Sequence, residues 1–134
     1  MNTEFNGKKL LVIGGTSGMG LQTARMVLEQ GGSVVIVGHR EDKAEEARKE
    51  LSSLGAVTAL TADLSRVEDV KRLLHTIDEN HKDINLLVNA AGVFFPKAFL
   101  EHTESDYEQY LSLNKAFFLI TQKVVANLVA SERP

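Results

Sequence analysis

The sequence predicts an α/β protein built on a doubly wound parallel sheet, with four strands in the order 3-2-1-4. Three observations carry this. Four short, largely apolar runs alternate with four stretches of helical character along the 134 residues. The first, KLLVIG, and the last, INLLVNAAG, have continuous apolar cores, which suits strands buried on both faces. No linker, repeat or low-complexity segment interrupts the alternation. It therefore demands parallel strands joined by right-handed crossovers.

The elements follow in order. KLLVIG (9–14) is the first strand, and GMGLQTARMVLEQ (18–30) is a helix with Leu21, Ala24, Val27 and Leu28 on one face, stopped by Gly31 and Gly32. SVVIVG (33–38) is the second buried strand. A helix over 41–54 opens with acids in its first turn and ends before Gly55. AVTALTAD (56–63) is the third strand, followed by a helix over 65–81 with a Ser65–Glu68 capping box. INLLVNAAG (84–92) is the fourth strand. After a loop containing Pro96, a long helix runs from about Ser105 to about Ser131, with Ser105 and Glu108 as its capping box. The crevice is expected at the carboxyl ends of the first and fourth strands, where the strand order reverses.

Composition bounds the function. The length fits one domain, residues 1–134, with 43% hydrophobic and 25% charged residues. A net charge of −3 gives no electrostatic pull toward nucleic acid or an anionic membrane. The absence of cysteine excludes disulfides, thiolate zinc sites and cysteine nucleophiles. It also fits a reducing compartment. Residues 1–9 hold no apolar signal-peptide core, and no apolar run nears the roughly 20 residues of a membrane helix. A soluble, cytoplasmic protein is the expectation.

The stretch LLVIGGTSGMGLQTA (10–24) makes the first strand-to-helix turn, where backbone N–H groups and the helix dipole favour an anion. Gly14 makes the turn, while Gly18 and Gly20 permit ligand approach and close helix–strand packing. Thr16 and Ser17 add hydroxyl donors. A glycine-rich turn without a ligand is the competing reading, and the common G-x-G-x-x-G spacing is absent because Thr23 stands where its last glycine would fall.

The spacing G-x-x-x-G-x-G resembles that of the short-chain dehydrogenase/reductase family. Further markers agree in order: Asp63 and Leu64 in ADLS, NAAG over 89–92, and Asn114 in LSLNKAFF. The resemblance covers the whole chain. One departure is Ile13, which stands where the family has threonine. The resemblance implies a Rossmann-like sheet and hydride transfer between a nicotinamide cofactor and a carbonyl or alcohol substrate, a small molecule. It implies that Gly14, Ser17, Gly18, Met19 and Gly20 hold the pyrophosphate and that Asp63 and Leu64 meet the adenine. Asn89, Ala90, Ala91 and Gly92 would flank the nicotinamide side, and Asn114 would be the one member of the catalytic set. It also implies dimers or tetramers built on the long helix and a further helix.

The end of the second strand bears on the cofactor. An acid there binds free ribose hydroxyls and repels a 2′-phosphate. Here Gly38 stands at that position, followed by His39 and Arg40, which suits NADP, with NAD as the alternative. The competing reading is that Arg40 pairs with Glu41 or Asp42. Ser17 also occupies a position where many NADP users place a basic residue.

The family's chemistry uses a serine and a Tyr-x-x-x-Lys pair. Tyr107 is followed four residues on by Leu111, and Tyr110 by Asn114, so neither forms that pair, and both are expected to pack. The chain is accordingly expected to represent the first half of a family member, cut before a fifth strand and inactive alone, with its fourth strand left as a hydrophobic edge. A non-catalytic nucleotide-binding module acting through a partner is the alternative function. A methyltransferase on a similar sheet fits less well, since an acid usually ends its second strand. His39, His75, His81 and His102 are read as solvated, with no metal-site spacing. Phe94 and Phe95 are read either as lining the substrate side or as anchoring their loop.

Overall fold

The computed structural model describes residues 3–93 and 95–131. Strands and helices alternate throughout: β1 (Lys9–Ile13), α1 (Gly18–Glu29), β2 (Ser33–Gly38), α2 (Glu41–Leu51), β3 (Val57–Thr61), α3 (Val67–Asn80), β4 (Leu86–Asn89) and α4 (Glu104–Ala130). A 3-10 turn at Phe99–Glu101 precedes α4. All pairings are parallel, and the sheet order is β3-β2-β1-β4, as the sequence predicts.

The two periodicities of strand and helix divide the core into two layers. Leu10, Val12, Val34 and Ile36 point to one face of the sheet, where they pack with Ala24, Val27 and Leu28 of α1 and Ala47 and Leu51 of α2. The alternate residues Leu11, Ile13, Val35 and Val37 point to the other face, against Leu73 and Ile77 of α3 and Ile120 and Val124 of α4. Both faces of β1 and β2 are therefore covered, which is why their sequences are apolar without alternation. Across the second layer, Lys123 Nζ lies 2.8 Å from Asp78 Oδ2, tying α4 to α3.

β4 differs from β1 and β2. It is shorter than the expected 84–92, its Leu86, Leu87 and Val88 are half-buried, and Asn89 is exposed. Among the described residues it pairs only with β1, so one edge carries unpaired backbone groups.

Helix ends show where local chemistry departs from expectation. α1 closes as expected at Gly31, with φ of +89°, where the Gly31 N–H donates to Leu28 O and the Gly32 N–H to Val27 O. Leu21, placed on the buried face with Ala24, Val27 and Leu28, is only half-buried. α2 ends at Leu51, three residues early, because Ser52 Oγ donates to Lys49 O and competes with continuation. The Ser65–Glu68 box does not form: α3 starts at Val67, and Ser65 instead donates through its N–H and Oγ to Asp63 Oδ1. The box on α4 sits two residues earlier than predicted. Thr103 Oγ1 accepts the Asp106 N–H at 3.1 Å, and Asp106 Oδ2 accepts the Thr103 N–H at 2.9 Å. Lys97 also reaches Asp106 Oδ2 at 2.6 Å, and that bond first, with the Thr103 N–H, holds the Asp106 carboxyl below its ordinary pKa.

The histidines are not all solvated. His39 and His75 are exposed, but His81, at the end of α3, is buried at 8% exposure. Its position under the amino ends of β1 and β4, rather than its residue type, decides this. Among the described residues no helix is long and apolar enough to cross a membrane.

Candidate functional site

The strand order reverses between β1 and β4, and a cleft of about 500 Å³ opens at their carboxyl ends. It runs from the turn after β1 and the start of α1, past the ends of β2 and β3, to the segment following β4. The predicted residues Gly14, Thr16, Ser17, Gly18, Met19, His39, Asp63, Leu64, Ala90, Ala91 and Gly92 all line it. Gly20, Arg40, Asn89 and Asn114 are not on its wall.

The glycines divide by what a side chain would meet. A Cβ on Gly14 would fall 2.7 Å from Ala91 N, and one on Gly20 would collide with Gly14 O, so these two bring α1 and the β4 segment against β1. Gly14 also holds φ at +80°. A Cβ on Gly18 or Gly92 would find nothing within 4 Å, so these two leave open space toward the cleft. Ser17 caps α1 with extended backbone but makes no side-chain cap bond. The first N–H groups of α1 therefore face a cleft that has room for an anion. Met19 stands at its mouth, 85% exposed.

The far wall is polar and held in place. Asp63 Oδ1 is engaged by Ser65, and the Asp63 N–H donates to Asp69 Oδ2 at 2.8 Å. That backbone bond first, with Arg72 beside it, holds the Asp69 carboxyl below its ordinary pKa. Arg40 is turned toward its own helix, its guanidinium 2.9 Å from Asp42 Oδ2, and both side chains are exposed. The competing reading of Arg40 thus describes its present partner.

Sequence reasoning missed Gln109 and Leu113, which line the cleft from α4, and Val93 beyond β4. Gln109 and Leu113 are one helical turn apart, and that spacing was the available signal. Asn114 lies next to them but is exposed. Of the two phenylalanines, Phe94 lies outside the described residues. Phe95 anchors its loop: its ring meets Tyr110 edge-on at 5.3 Å, and its N–H donates to the Tyr110 hydroxyl. Tyr110 packs as expected, whereas Tyr107 is 63% exposed. Among the described residues no group of three His, Asp or Glu could hold a metal ion.

Known proteins share this outline. The family model for short chain dehydrogenases matches residues 8–133. An uncharacterized oxidoreductase of Bacillus subtilis is 32% identical over 114 residues, covering 85% of this chain and 43% of its own length. A 3-oxoacyl-acyl-carrier-protein reductase of Chlamydia pneumoniae is 31% identical over 115 residues, covering 85% of this chain and 46% of its own. A short-chain dehydrogenase from Sphingobium yanoikuyae, solved in complex with NADPH, superposes with a TM-score of 0.84 at 27% identity, over 92% of this chain and 49% of that one. The chain thus spans less than half the length of these relatives.

Proposed function

Because the chain belongs to the short-chain dehydrogenase family, we propose that it binds NADP(H) and serves hydride transfer between that cofactor and a carbonyl or alcohol substrate. The observation that carries the cofactor assignment is the end of β2: Gly38 offers no acid to the cleft, and His39 and Arg40 follow it. The Sphingobium relative, solved with NADPH, supports it. The donor chemistry fits such a group, since the start of α1 meets open space at Gly18.

In this reading the N–H groups at Gly18, Met19 and Gly20, with the Thr16 and Ser17 hydroxyls, take the pyrophosphate. His39 takes the 2′-phosphate directly, and Arg40 joins it by exchanging Asp42 for phosphate. Asp63 and Leu64 face the adenine, and Asn89, Ala90, Ala91 and Gly92 flank the nicotinamide. NADP(H), when bound, supplies or accepts the hydride. Asn114 is assigned to ordering a proton path, and the serine and Tyr-x-x-x-Lys used by the family would have to come from residues other than these 134.

Residues 1–134 act as one dinucleotide-binding unit. Tyr107, Leu111, Phe118, Val125 and Val129 form an exposed apolar stripe on α4, which supports assembly as a dimer or tetramer. A cytoplasmic location accords with the cysteine-free sequence.

Isothermal titration of the purified protein with NADP+ and NAD+ tests the reading. Binding of NADP+ at least tenfold tighter than NAD+ is expected. Equal or tighter NAD+ binding overturns the preference, and binding of neither overturns the cofactor assignment.

A further inference from the structure

At the end of β2, the Thr16 side chain occupies the space that a side chain on residue 38 would need. A Cβ on Gly38 would stand 2.5 Å from Thr16 Cγ2 and 3.1 Å from Thr16 Oγ1. Gly38 is not among the glycines with positive φ. Its backbone would accept any residue; the space above it would not.

The backbone on neither side can easily withdraw, so relief would have to come from turning the Thr16 side chain. The turn that carries Thr16 is pinned to β2, because the Gly14 and Gly15 N–H groups both donate to Val37 O, at 2.8 and 3.2 Å. Gly15 is pressed down as well, since a Cβ there would meet Ile36 Cγ2 at 2.8 Å. Gly38 is held from the other side, its carbonyl accepting the Ala62 N–H at 2.9 Å. Packed backbone of this kind transmits a clash instead of absorbing it.

From this we infer that Thr16 is a specificity-determining residue that works by bulk. It fills the volume a side chain at position 38 needs, and so bars an acid from the place where one would hydrogen-bond the free hydroxyls of the adenosine ribose. The glycine at 38 and the threonine at 16 are one device: exchange of the first alone cannot convert the site to NAD. The ligand half of this inference rests on the cofactor reading above; the steric half does not.

The test is a double-mutant cycle on the purified protein, first without ligand. Gly38→Ala should lower the Tm by roughly 5 °C or more, and adding Thr16→Ala should recover most of the loss. Titration then follows with NAD+ and NADP+. Gly38→Asp alone should gain no NAD+ affinity, whereas Gly38→Asp with Thr16→Ser, which removes the Cγ2 methyl and keeps the hydroxyl assigned to the pyrophosphate, should gain tenfold or more over the unmutated protein. Additive Tm changes would overturn the inference, as would a Gly38→Asp single variant that binds NAD+ as tightly as the double. Coupled Tm changes in a protein that binds neither nucleotide would sink the cofactor reading and the specificity role with it, leaving a packing pair.

Discussion

Lys9 Nζ lies 2.8 Å from Nδ1 of His81, joining the amino end of β1 to the end of α3 on the side of the sheet away from the cleft. The ammonium group donates, so the ring accepts at Nδ1 and carries its proton on Nε2. Lys9 Nζ also reaches Asp83 Oδ1 at 3.0 Å.

This contact predicts a pH dependence of stability. Burial first, and the Lys9 charge second, push the His81 pKa below its ordinary 6.5, with Asp83 opposing. The unfolded chain therefore binds a proton more readily than the fold does. The contribution is fully present above pH 6.5 and is lost as pH falls from there through the depressed folded value. Melting temperatures measured between pH 8 and pH 5 should fall more steeply below 6.5 for the unmutated protein than for His81→Gln. Parallel curves would show that His81 carries none of the slope.

The glycines of the cleft should separate by readout. Gly20→Ala drives a methyl group into the Gly14 carbonyl and should cost about 1–3 kcal/mol of unfolding free energy. Gly92→Ala meets nothing and should stay within about 0.5 kcal/mol, while weakening NADP+ binding. Urea unfolding and titration calorimetry on both variants check the contrast.

Arg40 is held by Asp42 across an exposed pair, and such pairs are weak. Asp42→Asn should therefore tighten NADP+ roughly threefold by freeing the guanidinium. Arg40→Ala should weaken NADP+ about tenfold or more and leave NAD+ unchanged. An equal effect of Arg40→Ala on both cofactors would remove Arg40 from the 2′-phosphate site.

The reciprocal bonds of Thr103 and Asp106 fix the start of α4 and, through Lys97, the loop behind the cleft. Thr103→Ala should cost about 1 kcal/mol, and Thr103→Ser should restore most of it. Chemical denaturation of the two variants is sufficient to decide.

Much of this molecule was legible in one dimension. Val34 to Val37 are buried on alternating faces, so they had to be apolar without interruption, and that pattern announces a strand covered twice. Gly14 and Gly20 were legible for a similar reason, since close backbone approach admits almost no other residue, and Gly18 because its φ of +56° favours glycine. Caps were harder to read. Ser65 and Glu68 have the spacing of a box, yet Asp63 competes for the same serine, and Thr103 beats Ser105 by two positions. Spacing records which bonds are available, and competition among neighbours decides which form.

By itself, then, the order of residues determined the sheet, its winding and the turn that opens the cleft, because burial and backbone geometry impose local patterns on the chain. Other features lie in no local pattern. The burial of His81 under Lys9, the arrival of Gln109 and Leu113 at the cleft, and the placing of the Thr16 side chain over Gly38 each join residues far apart in sequence. Only the tertiary structure could decide them, since each depends on which surfaces the folded sheet brings within a few ångströms of one another.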